Sequence, residues 1–280
     1  MIFSAMAQQA HAQNLVTDWN FTATNRISGA SNGGPNANGG MLGYNINATG
    51  WNNTPATNVN GTGSAPIGYN FLFTPASVNS TNPVIGNDPG GGQLSLFNNA
   101  NATNGMTAPP EGGNFIAADG AYQASAITQT ITNLVIGQKY LLSFYYAGAQ
   151  QYGASYTSAT TNSWNVTMSS SNGSTNYFNT NTTAIVSANK AFTGWQQATY
   201  SFTASNTIEV LSFLASGTPS GQPPFSLLAN VSIVAVPEAS TVIVGGLLLL
   251  FICAAPLLKS FKGRDKKTLC STEGAGSGYP

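Results

Sequence analysis

Apolar and polar positions alternate most regularly between Asn114 and Val236. In Ser125–Asn133, Ile127, Gln129 and Ile131 fall on one face and Thr128, Thr130 and Thr132 on the other. That period of two is the mark of a half-buried strand. Lys139–Ala147 repeats it with Tyr140, Leu142, Phe144 and Tyr146 on a shared face. Ser163–Ser169, Gln197–Thr203 and Thr207–Ala215 read as further strands, with Glu209 on the solvent side between Ile208 and Val210. Pro224–Val236 places Leu227, Ala229, Val231 and Ile233 together, and Asn114–Gly120 is a short strand closed by a turn at Asp119-Gly120. Short strands with turn residues between them, and no helical period, predict an all-β fold: an antiparallel jelly roll or β-sandwich.

The pattern is weaker upstream. Asn14–Phe21 predicts a first strand. From Ser28 to Gly113, Gly, Asn, Pro and Thr dominate, with turn clusters such as Ser31–Pro35 and Asp88–Gly92. Tyr69–Phe73 and Leu94–Phe97 are apolar islands that predict brief strands between long loops. Residues 13–235 are thus one β domain, loop-rich over 13–113 and regular over 114–235.

The pattern changes after Val236. Thr241–Leu258 is an uncharged apolar run of 18 residues. At about 1.5 Å per residue a helix of roughly 17–25 residues crosses a bilayer, so 241–258 predicts a single C-terminal transmembrane helix. Lys259, Lys262, Arg264, Lys266 and Lys267 follow at once and make up five of the eight basic residues of the chain. Such a cluster stays in the cytoplasm, which puts the β domain outside it and 268–280 inside as a tail. A buried core helix is the competing reading, but it would carry a polar face. At the other end, Ala10-His11-Ala12 is the small-residue pattern that signal peptidase cuts after. Residues 1–12 read as the remnant of a signal peptide, with Ala10 and Ala12 at the cleavage site.

The order of motif, helix and basic tail resembles the PEP-CTERM sorting signal of Gram-negative bacteria. The motif residues are Val236, Pro237, Glu238, Ala239 and Ser240, with Ala239 where the family usually has a second proline. The resemblance covers 236–267 and implies export, insertion in the inner membrane and recognition by an exosortase-like transpeptidase. The strand order of 14–235 resembles exported jelly rolls of the galactose-binding-like type. It rests on Asn114–Gly120, Gln129–Ile131, Val135–Tyr140, Leu142–Phe144, Trp195, Phe202–Ala204, Leu211–Phe213 and Leu227–Ile233. Related domains often hold a structural Ca2+. Their last strand often reads Leu-Asp-Asn-Val, and here Ala229 takes the acidic place before Asn230-Val231. No cofactor or metal is therefore expected.

Composition narrows the chemistry. Charged residues are 6% of the chain. Between Gln13 and Val236 only Arg26, Lys139 and Lys190 face Asp18, Asp88, Glu111, Asp119 and Glu209. Nothing there forms a basic patch for nucleic acid. His11 is the single histidine, and it lies before the cleavage site. A Ser/His/Asp relay or a histidine metal site has no material. Cys253 and Cys270 both fall outside the β domain, so it has no disulfide. A glycosidase needs two carboxylates roughly 5–9.5 Å apart. The candidates are Asp18, Asp88, Glu111, Asp119 and Glu209, of which Glu209 reads as solvent-facing and Asp119 more simply as a turn residue.

Carbohydrate binding is the sharper expectation. Aromatic faces pack on sugar C–H surfaces while amides and hydroxyls hold sugar hydroxyls. Tyr152 and Tyr156, in the loop after Gln150, are the better candidates, with Trp51 and Trp164 beside them. Core packing is the competing reading for Trp164 and Trp195, which lie in strand patterns. The sequence thus describes a non-enzymatic, exported protein of the cell surface or extracellular matrix. It is structural or weakly carbohydrate-binding and partnered by envelope or exopolysaccharide. The alternatives are a polysaccharide hydrolase and a simple single-pass anchored adhesin.

Overall fold

A computed structural model describes residues 13–27, 39–57, 64–65, 67–81, 94–173 and 175–237. The chain divides into two units, Met1–Val236 and Pro237–Pro280. Of the second unit only Pro237 is described. The expected helix 241–258, Glu238, Ala239, Ser240 and the five basic residues from Lys259 to Lys267 lie outside the described residues, as do Ala10, Ala12 and Asp88. Among the described residues no helix is long and apolar enough to cross a membrane.

The first unit is an antiparallel sandwich. Its seven short N-terminal strands are β1 (Thr24–Arg26), β2 (Gly39–Met41), β3 (Ile46–Ala48), β4 (Trp51–Asn53), β5 (Ala56–Thr57), β6 (Ser64–Ala65) and β7 (Asn70–Phe73). A 3-10 turn, Pro75–Asn79, comes next. Then come β8 (Phe115–Asp119), β9 (Ala126–Ile131), β10 (Lys139–Gln150), β11 (Thr160–Ser170), β12 (Asn176–Asn181), β13 (Ile185–Ser187), β14 (Gln196–Thr203), β15 (Glu209–Thr218) and β16 (Pro224–Ala235). One sheet runs β14-β10-β16-β8-β7-β2 and the other β12-β11-β15-β9-β4, with β13 also on β11. Apart from the β11–β12–β13 run, successive strands from β8 to β16 cross from one sheet to the other. That order is a jelly roll. The small pairs β1–β3 and β5–β6 are separate.

Alternation explains the inner core. In β9 the buried positions are Ile127, Gln129 and Ile131, as the sequence pattern requires. Tyr140, Leu142, Phe144 and Tyr146 of β10 join Trp164, Val166 and Met168 of β11 and Leu211 and Phe213 of β15 between the sheets. The first sheet is also covered on its outer face. There Phe71, Phe73, Phe115, Ala117, Ala147, Phe225 and Leu227 pack under Val78, Leu94, Leu96 and Met106 from the loop-rich segment. Strands buried on both faces lose their polar alternation. All of Phe115–Asp119 is buried, and so is Asn70–Phe73.

Asparagine side chains bind this covering segment together. Asn98 Nδ2 donates to the Ser77 and Ser80 carbonyls, Asn99 to Met106, Asn101 to Leu96, and Asn104 to Phe97 and Lys190. Loop carbonyls without a ladder partner would otherwise be unpaired under the cover.

Four expectations need correction. Asn14–Phe21 is not a strand, because Asp18 and Phe21 take left-handed φ of 47° and 56°. The segment still docks on β16, with Leu15 N on the Ile233 carbonyl and Val231 N on the Trp19 carbonyl. Leu94–Phe97 supplies only one bridge, Leu96 to Gln151. Leu227, Ala229, Val231 and Ile233 do not share a face. Asn230 sits at φ 51°, and the β10–β16 register slips between Ser143 and Tyr145. This bulge turns Leu227 and Ala229 outward and Leu228, Val231 and Ile233 inward. Glu209 is fully buried, its Oε1 accepting the N–H groups of Ser205 and Asn206.

Candidate functional site

One end of the jelly roll holds a cleft of about 380 Å³, lined by Tyr69, Asp119, Ala121, Tyr122, Gln151, Tyr156, Ser220, Gly221 and Pro223. Strand ends and loops supply it. Asp119 closes β8, Gln151 follows β10, Pro223 precedes β16, Tyr69 leads into β7, and the others sit on three connecting loops.

Sheet register fixes the floor. Asp119 pairs with Phe225, Gln151 N donates to the Pro223 carbonyl, and Gly120 N donates to the Pro224 carbonyl. Gly120 packs so closely on β15 that a Cβ there would lie 2.4 Å from Gly217 N. Only glycine allows that approach. The walls are tied to each other. Gln222 Oε1 accepts N–H groups from Thr157 and Ser158, joining the β15–β16 turn to the loop that carries Tyr156.

Three tyrosines give the cleft its aromatic surface. Tyr69 stands edge-on to Tyr122, with centroids 5.3 Å apart, and to Phe71 at 4.5 Å. Tyr122 is 40% exposed. The Tyr156 ring lies over Gly153, where a Cβ would come within 2.5 Å of its edge.

Asp119 is the charged group of the lining. Its side chain is 1% exposed, and Oδ1 accepts both the Ala121 and Tyr122 N–H groups at 2.8 and 3.1 Å. It is therefore the turn aspartate that the sequence suggests, buried as well. Burial pushes its pKa from 3.8 up to about 7, because removing water penalises the carboxylate more than the two N–H groups favour it. Oδ2 accepts no hydrogen bond from the described residues and faces a wall that carries no lysine or arginine.

The four sugar-binding candidates separate. Tyr156 lines the cleft. Tyr152 is 53% exposed but does not line it; its ring sits against Phe97 at 5.3 Å. Trp51 and Trp164 are core residues, 4% and 0% exposed, and offer no face to a ligand. Trp51 packs between Phe21 and Phe213 and donates to the Asp18 carbonyl. Trp164 donates across the sandwich to the Leu227 carbonyl. Sequence reasoning did not bring Tyr69, Tyr122, Asp119 and Gln151 to one site. The local signal was Asp119 followed at short range by Tyr122, an acid and an aromatic in one turn.

A second cleft of about 310 Å³, between Ser170–Asn172, Tyr177 and Asn206–Ile208, is polar with a single aromatic ring. No group of three or more His, Cys, Asp or Glu residues that could hold a metal occurs among the described residues.

No protein-family model matches the chain, and no curated protein does. Solved structures do show likeness. A CBM4 structure is 16% identical, with 58% of this chain and all of that one covered at a TM-score of 0.31. The K1 cleaved adhesin domain of Lys-gingipain from Porphyromonas gingivalis is 12% identical over 76% of this chain and 98% of that one, at 0.36. The MgGH51 α-L-arabinofuranosidase is 12% identical over 79% of this chain but 26% of that one, at 0.39. Likenesses of this size leave the functional reading to the cleft itself.

Proposed function

We propose that this chain is an exported, surface-held protein whose jelly-roll cleft binds saccharide without chemical turnover. The observation that carries the reading is the cleft's composition. Tyr69, Tyr122 and Tyr156 supply flat apolar surface, while Gln151, Ser220 and Asp119 supply hydrogen-bonding groups. Few convergent polar groups on an aromatic wall are what a small polar ligand needs. Among the described residues the lining has one carboxylate, whereas glycoside hydrolysis uses two.

Location belongs to the same proposal. The run 241–258 would anchor the chain in the inner membrane, and the motif at Val236–Ser240 would hand it to an exosortase-like partner. Its place would be the envelope or matrix, with exopolysaccharide as the natural ligand source. The domain's geometry suits that role. Pro224, beside the cleft, and Ala235 are the two ends of the 12-residue strand β16, about 36 Å apart at ~3.3 Å per residue. Cleft and C-terminal exit thus lie at opposite ends of β16.

A glycan array probed with the full chain, solubilised in a non-glycosidic detergent, tests the binding half. Binding that Tyr122→Ala and Tyr156→Ala weaken by about tenfold or more supports it. No binding to any glycan sinks it and leaves a structural protein. Mass spectrometry of the mature C-terminus tests the other half: an end near Glu238 supports processing, and an intact end past Cys270 refutes it.

A further inference from the structure

We infer that the cleft selects uncharged saccharides against uronate- or sulfate-bearing ones, with Asp119 Oδ2 as the acceptor for ligand hydroxyls. This rests on the saccharide-binding reading and adds the ligand class.

Asp119 is held rather than merely present. Its Oδ1 is occupied by two backbone N–H groups, which fixes the carboxyl plane. Oδ2 accepts no hydrogen bond from the described residues and is not one of their buried unpaired atoms, so it is the carboxylate edge that opens on the cleft. On the cleft side it takes a donor from water or from a ligand. A sugar hydroxyl supplies it; a carboxylate or sulfate oxygen cannot.

The surroundings offer an anion no compensation. Facing Asp119 are the phenols of Tyr69 before β7, Tyr122 on the β8–β9 loop and Tyr156 on the β10–β11 loop. Gln151 comes from the end of β10, Pro223 and Phe225 from β16, and Ser220 and Gly221 from the β15–β16 turn. None is cationic. The three basic residues of the domain stand outside the described cleft lining. Lys190 lies over the Phe97 ring at 5.5 Å, Arg26 donates to the Gly39 carbonyl, and Lys139 pairs with Thr203 at the far end of β10. An acidic sugar would set a second negative charge beside the Asp119 carboxylate with no cation in the described lining, and like charges there are disfavoured.

Protonation grades the discrimination. Asp119 titrates near neutrality because it is buried. Above that point the ionised carboxylate accepts hydroxyls best and repels anions most. Below it the neutral acid tolerates an acidic sugar, and the preference narrows.

The test is calorimetric titration of the full chain in a non-glycosidic detergent. The probes are matched pairs that differ at C6: galacto-oligosaccharides against oligogalacturonides, and manno-oligosaccharides against mannuronate oligomers. Titrations run at pH 8.5 and pH 5.5. The expected result is a neutral member that binds at least about tenfold tighter at pH 8.5, with a smaller ratio at pH 5.5. Asp119→Asn, whose amide oxygen still accepts both N–H groups, should bring the ratio close to one at both pH values. Uronates that bind equally well or better at pH 8.5 overturn the inference while leaving saccharide binding intact. A ratio unchanged in Asp119→Asn, with neutral sugar still bound, does the same. Should no member of any pair bind, the saccharide-binding reading falls and this inference with it. Were Asp119→Asn not to fold, the pH dependence of the wild-type ratio decides alone.

Discussion

Trp164→Phe separates a tryptophan that holds the sandwich together from one that holds a ligand. Trp164 stands on β11 in one sheet, fully buried, and its Nε1 donates to the Leu227 carbonyl on β16 in the other at 3.0 Å. Its ring meets Phe213 edge-on at 6.1 Å. Phenylalanine keeps the apolar contact but removes the donor. A buried carbonyl stripped of its partner costs about 1–3 kcal/mol. The missing ring atoms add about 1–2 kcal/mol, between an Ile→Val and a Trp→Ala exchange. The sum is about 2–5 kcal/mol. For a domain of this size each kcal/mol lowers Tm by roughly 2–4 °C, so the expected drop is about 7–14 °C for a middle value. Near-UV circular dichroism during a thermal scan measures it. Saccharide titration well below the transition should give the wild-type affinity, because the ring never reaches the cleft. A variant of wild-type Tm that has lost saccharide binding would refute this assignment and return Trp164 to the ligand site.

Two further perturbations follow from the same geometry. Asp119 is favoured in its protonated form by folding, since its pKa rises from 3.8 to about 7, so stability falls as pH climbs through that window and levels off above it. Asp119→Asn should therefore be more stable than wild type at pH 8.5, by at most about 4 kcal/mol, and no more stable at pH 4, as paired urea titrations would report; a gap that does not change with pH would contradict the burial argument. At the bulge, Asn230 has φ 51°, its Oδ1 accepts Glu111 N and its Nδ2 donates to the Gly112 carbonyl. Asn230→Ala loses both bonds and forces a left-handed Ala, for about 2–4 kcal/mol, whereas Asn230→Gly loses only the bonds; equal urea midpoints for the two variants would argue against backbone strain at this position.

The regular half of the fold was legible because its strands bury one face at a time. β9, β10 and β14 repeat polar and apolar positions with period two, and the chain folds them accordingly. Legibility failed wherever a single residue broke that period. Asn230 flips the second half of β16 with a left-handed φ, which no alternation rule anticipates. Glu209 reads as exposed between two apolar neighbours. It is buried because its carboxylate caps the Ser205–Asn206 turn, an arrangement set by the turn rather than by the strand. The cleft failed to show for a different reason. Its residues come from the ends of β8, β10 and β16 and from separate loops, and only the crossing of strands between sheets brings them together.

Asparagine is where composition misled most and teaches most. Amid aromatic residues, an Asn-rich and nearly uncharged surface reads as sugar-binding material. In the structure much of it has already found its partners. Asn98, Asn99, Asn101 and Asn104 cap carbonyls of the segment that covers the outer face of the first sheet. Asn53 and Asn70 do the same where β4 and β7 approach, with Asn53 Nδ2 on the Leu42 and Gly68 carbonyls and Asn70 Nδ2 on Asn53 Oδ1. An amide carries donors and acceptors with no charge to desolvate, so it can pair loop backbone under a hydrophobic cover where lysine or glutamate could not. The low charge of this domain is therefore first a consequence of how it builds a second core from irregular chain. Ligand chemistry is left to the few polar groups that the fold does not use itself, and in the cleft these include Asp119 Oδ2.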